Sequence, residues 1–321
     1  MRAIVQAKYG SADTLSVGEV DRPSIEAGEV LVQVRAAGLD RGTWHLMAGV
    51  PYAVRLVSGL RAPKRVVPGL DVAGVVMAVG SEVTRFGAGD EVFGISKGSF
   101  AEYAAAREDK LAHKPAKLTF EQAAAMPVSG LTALQGLCDV GRVEAGQTVL
   151  IIGASGGVGT FAVQIARALG ADVTGVCSTG KVDLVRSIGA DNVIDYTRDD
   201  FADGDDKYDL VLDIGGNSTL SRLRGALASR GTLVIVGGEG GGRWFGVGRQ
   251  LRALALSPFV RQRLRTFIAK EHHGGLERLK QLADDDQLVP VVERTYPLDA
   301  VPEAMRHLEA GRARGNLVIT V

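Results

Sequence analysis

The sequence predicts an α/β protein of two domains, one an antiparallel β-rich domain and the other a doubly wound parallel sheet. Three observations lead there. At 321 residues the chain is too long for one small core. Up to about residue 110 it reads as strands joined by turns, and from about residue 120 as strands alternating with helices. At the head of that second region a short apolar strand runs directly into a glycine-rich turn and then a helix.

Taken in order, residues 29–36 alternate, placing Val30, Val32 and Val34 on one face of a strand. Asp71–Val79 is more evenly apolar and is predicted to be a buried strand. Gly87-Ala88-Gly89-Asp90 marks the turn before a strand at residues 91–94. Between the first two strands, residues 38–66 hold Trp44, His45, Tyr52 and several basic residues with little regular period. Thr119 is the expected N-cap of a helix over residues 120–125. Thr148–Ile152 has no polar interruption, as a strand buried in a parallel sheet requires. After Gly159, the residues Ala162, Ile165, Ala166 and Leu169 share a helical face that stops at Gly170. Strands follow at 172–176, 192–194, 210–213 and 232–236, with helices between most of them. Such units need right-handed crossovers and give a doubly wound sheet. After about residue 270 the pattern is helix (276–283), strand, helix (300–309) and strand (317–321), no longer crossover units. The chain is therefore expected to return and complete the first domain.

Composition narrows the function. Lysine plus arginine and aspartate plus glutamate balance at 37 each, which argues against nucleic acid or an anionic membrane as partner. Cys138 and Cys177 are far apart and form no C-x-x-C pair, so a reducing compartment is expected, with neither a disulfide framework nor a multi-cysteine zinc site. The first residues lack the apolar stretch of a signal peptide, and no apolar run approaches the roughly 20 residues that span a bilayer. A cytoplasmic protein is expected. The 42 glycines cluster at turns, as they would where the chain folds tightly or a ligand approaches the backbone closely.

The sharpest motif is Val149-Leu150-Ile151-Ile152-Gly153-Ala154-Ser155-Gly156-Gly157-Val158-Gly159, an A-x-G-x-x-G fingerprint between a strand and a helix. Its turn must be tight, its backbone must meet a pyrophosphate without a Cβ in the way, and the helix N-terminus supplies N–H groups and a positive dipole end. Ala154, Ser155, Gly156, Gly157, Val158 and Gly159 are thus candidate dinucleotide-binding residues. The next strand ends Gly175-Val176-Cys177-Ser178-Thr179-Gly180-Lys181, with no carboxylate at its tip to hold a ribose 2′-OH. Ser178 and Lys181 are candidate ligands of a 2′-phosphate, with Tyr196 as a helper, so NADPH is favoured over NADH. The alternative for Lys181 is a solvated place on the following helix. Gly237 and Gly238, just past the fifth strand, are expected near the nicotinamide, since strand C-termini face the cofactor.

The fingerprint, together with Pro127-Val128-Ser129-Gly130-Leu131-Thr132-Ala133, Pro68-Gly69-Leu70-Asp71-Val72-Ala73-Gly74 and the stretches 85–94 and 311–315, resembles the medium-chain dehydrogenase/reductase superfamily over nearly the whole chain. The likeness is nearest to the quinone oxidoreductase and zeta-crystallin branch, close to the reticulon-4-interacting protein homologues. It implies a GroES-like catalytic domain of residues 1–124 and 271–321, a Rossmann domain of residues 125–270, an active-site cleft between them, a cofactor contact at Thr132 and a homodimer. Zinc-dependent members bind their metal through two cysteines and a histidine beside a glutamate, and the matching positions here are Leu39, Leu70, Val128 and Asp71. Three of these four cannot bind zinc, so no metal is expected. Without a Lewis acid, quinones and enones are easier substrates than alcohols, because the charge they gain delocalises. The resemblance therefore implies hydride transfer between NADPH and a small quinone or α,β-unsaturated carbonyl. Where the branch carries an Asn and an Asp in an early loop, this chain has Asp40 and Thr43, in Ala37-Gly38-Leu39-Asp40-Arg41-Gly42-Thr43. Thr43 or Tyr52 is expected to donate to the substrate oxygen and Asp40 to orient ribose or substrate. The alternatives are a zinc-free alcohol or aldehyde oxidoreductase and a non-catalytic NADPH-binding protein. Trp44 and His45 are read as pocket or domain-edge residues, His272-His273 as a surface pair, and the two cysteines as buried apolar side chains. The stretch 240–256 is read as a pocket cap or dimer face.

Overall fold

The computed structural model describes residues 1–204, 206–237 and 248–321. It forms two compact units, Met1–Leu131 with Glu271–Val321, and Thr132–Lys270. The division thus falls within helix Pro127–Leu134 rather than ahead of residue 125.

The first unit is organised by strand Glu29–Leu39, which is long enough to serve three partners. It pairs antiparallel with Asp71–Val79, with Tyr103–Arg107 along its first half, and with Asn316–Thr320 at its end. Register shifts at Leu31/Val32 and Val34/Ala36 let the strand bend between these pairings. Its alternation works as the sequence suggests: Val30, Val32 and Val34 enter a core with Val72, Phe100 and Ile319. Val292–Pro297 pairs parallel with Asn316–Thr320, so the C-terminal stretch does return to this sheet. Arg2–Gln6 and Leu15–Glu19 form a separate hairpin. The segment expected to lack regular structure holds helix Arg41–Ala48, a short turn Tyr52–Val54 and helix Arg55–Ser58.

The second unit is a six-stranded parallel sheet. In space its strands run Asn192–Asp195, Asp172–Cys177, Thr148–Ile152, Tyr208–Asp213, Leu227–Ile235 and Arg263–Thr266. The order reverses between the third and fourth of these, which opens a crevice at their carboxyl ends. Val149, Leu150 and Ile151 are wholly buried, which is why that strand reads as an unbroken apolar run. Helix Gly157–Ala168 lays Phe161, Ala162, Ile165 and Ala166 against the sheet. The chain enters this unit at Thr132 and leaves it at Lys270. Close to those points the Gln135 side chain accepts from the Lys270 N–H (2.8 Å) and donates to its carbonyl (2.7 Å). Helix Gly248–Leu256 packs on the edge strand Arg263–Thr266, with Ala253 buried and Leu251 and Leu254 exposed. Gly238 and residues 240–245 lie outside the described residues. Among the described residues no helix is long and apolar enough to cross a membrane.

Candidate functional site

Three of the four glycines of the fingerprint turn are there for different reasons. Gly153 has φ +90°, a conformation that only glycine adopts without strain. At Gly159 a Cβ would stand 2.1 Å from the Gly153 carbonyl oxygen, so internal packing forbids a side chain. Gly156 has an ordinary φ of −87°, and a Cβ there would meet only the Gly153 oxygen, at 3.6 Å. Neither strain nor packing demands glycine at 156. What it preserves is open space over the N-terminus of helix Gly157–Ala168, which no side chain caps. That space suits an anion held by backbone N–H groups and the helix dipole, so the residues fit a pyrophosphate. The N–H groups of Gly153 and Ala154 are already used by the Val176 carbonyl, both at 3.1 Å, so Ala154 shapes the turn rather than donating. Ser155 is buried in the same turn, and Thr132 lies in helix Pro127–Leu134.

At the tip of the neighbouring strand, Ser178 opens a short turn through Thr179–Lys181. A carboxylate does stand here, although the neighbouring strand supplies it. Asp195 accepts from the Thr179 hydroxyl at 2.6 Å and from the Thr197 hydroxyl at 2.8 Å. The Thr179 bond first, aided by Thr197 and Arg198, holds its carboxyl below the usual carboxylate range. Tyr196 is 62% exposed beside it. Further along, Asp213 ends the fourth strand wholly buried, 2.6 Å from the Arg249 guanidinium. Burial pushes its carboxyl up, against the opposing pull of Arg249. Arg249 also donates to the carbonyls of Ser218 (3.0 Å) and Gly237 (2.7 Å), tying together the loops after the fourth and fifth strands. Gly237 is fixed by packing, since a Cβ would meet the Ile214 oxygen at 2.2 Å.

In the first unit, Asp40 caps helix Arg41–Ala48. Its Oδ1 accepts from the Thr43 N–H (2.9 Å), and its Oδ2 lies 3.0 Å from Thr43 Oγ1. Both side chains are buried. Asp71 is 2% exposed and accepts from the Val128 N–H at 3.1 Å. It has room because residue 38 is glycine: a Cβ at Gly38 would stand 2.9 Å from Asp71 Oδ2 and 2.4 Å from the Ala124 oxygen. Burial raises the Asp40 carboxyl above the usual range despite its Thr43 bonds. Burial and then the Asp40 charge push Asp71 well above it. Two such carboxyls in one low-dielectric region do not ionise together.

Thr43 lines a cavity of about 380 Å³ together with Leu46, Met47, Leu70 and Ile95. Asp40 and Tyr52 are not among the lining residues, so Asp40 reaches this space through Thr43. The half-buried Tyr52 ring stacks under the Arg55 guanidinium, at 4.8 Å. Trp44 packs on the core and His45 Nδ1 binds the Val50 carbonyl, so both are edge residues rather than cavity walls.

Comparison with known proteins gives a consistent picture. Residues 26–116 match the alcohol dehydrogenase GroES-like domain and residues 188–319 a zinc-binding dehydrogenase domain. The chain is 34% identical to the 2-methylene-furan-3-one reductase of Solanum lycopersicum, over 99% of its own length and 79% of that protein's. The chain belongs to the medium-chain dehydrogenase/reductase superfamily. It is also 34% identical to the mitochondrial NAD(P)H oxidoreductase RTN4IP1 of Homo sapiens, over 100% of this chain and 89% of that one. The quinone oxidoreductase of Coxiella burnetii superposes with a TM-score of 0.89 at 29% identity, covering 100% of this chain and 99% of the other. The resemblance read from the motifs is thereby shown, as are the GroES-like and Rossmann-type units and an oxidoreductase function.

In this medium-chain dehydrogenase/reductase the positions that the resemblance matches to zinc ligands carry no donor set for the metal. Leu39, Leu70 and Val128 offer only carbon, and Asp71 already receives a backbone N–H. No group of three or more His, Cys, Asp or Glu able to hold a metal occurs among the described residues. The side chains present do not fit a catalytic zinc. His272, read as one of a surface pair, is exposed but also caps helix His273–Asp284 by accepting from the Gly275 N–H. Cys177 is buried as expected, whereas Cys138 is only half-buried. Sequence reasoning missed Asp195, the Asp213–Arg249 pair and the raised carboxyl of Asp71. The one local signal was the spacing of Asp40, Thr43 and Gly49, which marks a capped helix.

Proposed function

We propose that this chain is a zinc-independent reductase that uses NADPH to reduce an enone or quinone. The observation that supports this most is Thr43, a hydroxyl that lines a cavity with Leu46, Met47, Leu70 and Ile95 and is backed by the buried Asp40 carboxyl, while the resemblance puts Leu39, Leu70 and Val128 at the positions of zinc ligands. When bound, the reduced nicotinamide supplies the hydride. The chain's own residues hold and polarise. The open N-terminus at Gly156 and Gly157 holds the pyrophosphate, Ser178 and Lys181 take the 2′-phosphate, and the Arg249-braced Gly237 loop lies at the crevice. Thr43 Oγ1 donates to Asp40 Oδ2, and an acceptor oxygen in the cavity would compete for that hydrogen. As the oxygen gains charge, this donor stabilises it. Conjugated acceptors suit so modest a donor because they spread the charge, and the similarity to a reductase of 2-methylene-furan-3-one, itself a conjugated ketone, points the same way. A homodimer belongs to this reading: Arg263–Thr266 is the open edge of the parallel sheet, and Phe259 and Ile268 near it are 84% and 92% exposed.

The test is NADPH oxidation by chelator-treated protein across quinones, enones and aldehydes, with alcohols and NADP⁺ in the reverse direction. Turnover of quinones or enones, undiminished by the chelator, is expected. Turnover of alcohols alone would make the protein a zinc-free alcohol oxidoreductase, and NADPH binding without turnover would make it non-catalytic.

A further inference from the structure

We propose that the cavity beside Thr43 takes an acceptor with an anionic group, a carboxylate or phosphate, on the end remote from its conjugated carbonyl. This rests on the reductase reading above and adds the substrate class. At about 380 Å³ the cavity is of the size that encloses a small organic ligand. Its wall is of two kinds. Beside Thr43 the lining includes the apolar Leu46, Met47, Leu70 and Ile95. It also includes Lys64, Arg65, Lys97, Arg107 and Lys110, against one acid, Glu271. Three of these cations are matched: Lys97 by Glu29 at 2.5 Å, Arg107 by Asp109 at 2.9 Å, and Lys110 by Glu271 at 2.6 Å. Lys64 and Arg65 make no ion pair among the described residues. The chain as a whole balances 37 cations with 37 acids, so an unmatched pair at a cavity is a local feature rather than a reflection of overall basicity.

The segment bearing these cations is also held in place. The Lys64 N–H donates to the Ser58 carbonyl at 2.7 Å, and the Tyr9 hydroxyl donates to the Gly59 carbonyl at 2.6 Å. On the far side, the Gln6 N–H donates to the Val66 carbonyl at 2.8 Å. A backbone pinned before and after residues 64 and 65 keeps these two exposed cations at the cavity. An apolar stem with conjugation at one end and an anion at the other matches both parts of the wall.

The experiment uses the full-length protein with NADPH and two matched pairs of acceptors. One pair is an enone with a terminal carboxylate on a short alkyl chain and its methyl ester. The other is crotonyl pantetheine phosphate and crotonyl pantetheine. The wild type should favour the anionic member by about tenfold or more in kcat/KM, carried by KM. A Lys64→Ala/Arg65→Ala variant should lose that preference and keep its rate on the neutral members, while Lys64→Arg retains it. The pair with the larger preference identifies carboxylate or phosphate as the recognised group. Equal kcat/KM within both pairs for the wild type, or a preference that survives the double substitution, would overturn the proposal. Calorimetric binding of the saturated carboxylate ketone against its ester gives a readout independent of turnover. Should every acceptor fail to react, the reductase reading falls, and the binding preference with its loss in the double variant still decides this one.

Discussion

Replacing Asp71 by asparagine should make the protein more stable, and increasingly so as the pH rises. The side chain is 2% exposed and receives one hydrogen bond, from the Val128 N–H, which an asparagine oxygen would keep. Burial, and then the charges of Asp40 and Glu271, set its carboxyl well above the usual range. The folded chain therefore holds this proton to higher pH than the unfolded chain does. The associated stability is present in full below the unfolded pKa and is lost as the pH rises through the folded one. Between those limits one carboxyl removes about 1.4 kcal/mol of stability per pH unit. Asparagine cannot ionise and has no such slope, so across that window the variant should gain on the wild type by about that amount for each pH unit. Urea midpoints of both proteins, taken from about pH 5 to about pH 8, measure the difference. Parallel pH curves, or an asparagine variant that is weaker throughout, would refute the assignment of Asp71 as a buried acid under repulsion.

Other substitutions address the site directly. Thr43→Ala should lower kcat for an enone by roughly a hundredfold with the NADPH KM unchanged, the size expected for losing one donor to a developing oxyanion. Asp40→Asn should preserve the helix cap and leave the rate at least as high, because an amide donates to Thr43 Oγ1 and frees the threonine hydrogen; Asp40→Ala should cost about 1 kcal/mol of stability. Gly156→Ala should raise the NADPH KM about tenfold for no more than about 1 kcal/mol of stability. Gly159→Ala, whose Cβ would stand 2.1 Å from a carbonyl oxygen, should instead lower the melting temperature. Lys181→Ala should shrink the ratio of kcat/KM for NADPH over NADH by about tenfold, the loss of one charge-assisted phosphate contact.

The doubly wound unit was the more legible in sequence, because strands buried on both faces leave a trace that survives without an alignment. Val149, Leu150 and Ile151 read as one apolar run, and the helix beyond Gly159 shows its buried face by spacing alone. Helix Arg41–Ala48 was obscured because Trp44 and His45 interrupt any apolar period, and only its cap at Asp40 and the left-handed Gly49 (φ +63°) betray it. The acids that matter were hidden for a different reason: their chemistry is set by distant partners. Asp71 is the first residue of an apolar strand, and its environment depends on Gly38, across the sheet. Asp195 is invisible from the strand that ends at Cys177, because parallel pairing is what brings the tip of the next strand beside Thr179. Arg249 meets Asp213 only after the chain has passed through the fifth strand.

The two hydrogen bonds between Gln135 and Lys270 bear on how such a protein can be rebuilt. They hold the points of entry and exit of residues 132–270 within one side chain's reach, so the ends of this unit are already latched to each other. Folding it asks the host chain to close no long loop beyond a gap that is already short. A homologous cassette with a different taste in cofactor could be exchanged here while the acceptor cavity, built wholly from the other unit, stays as it is. Cofactor preference and acceptor preference would then drift, or be engineered, along separate paths, with Gln135 as the latch that both versions must keep.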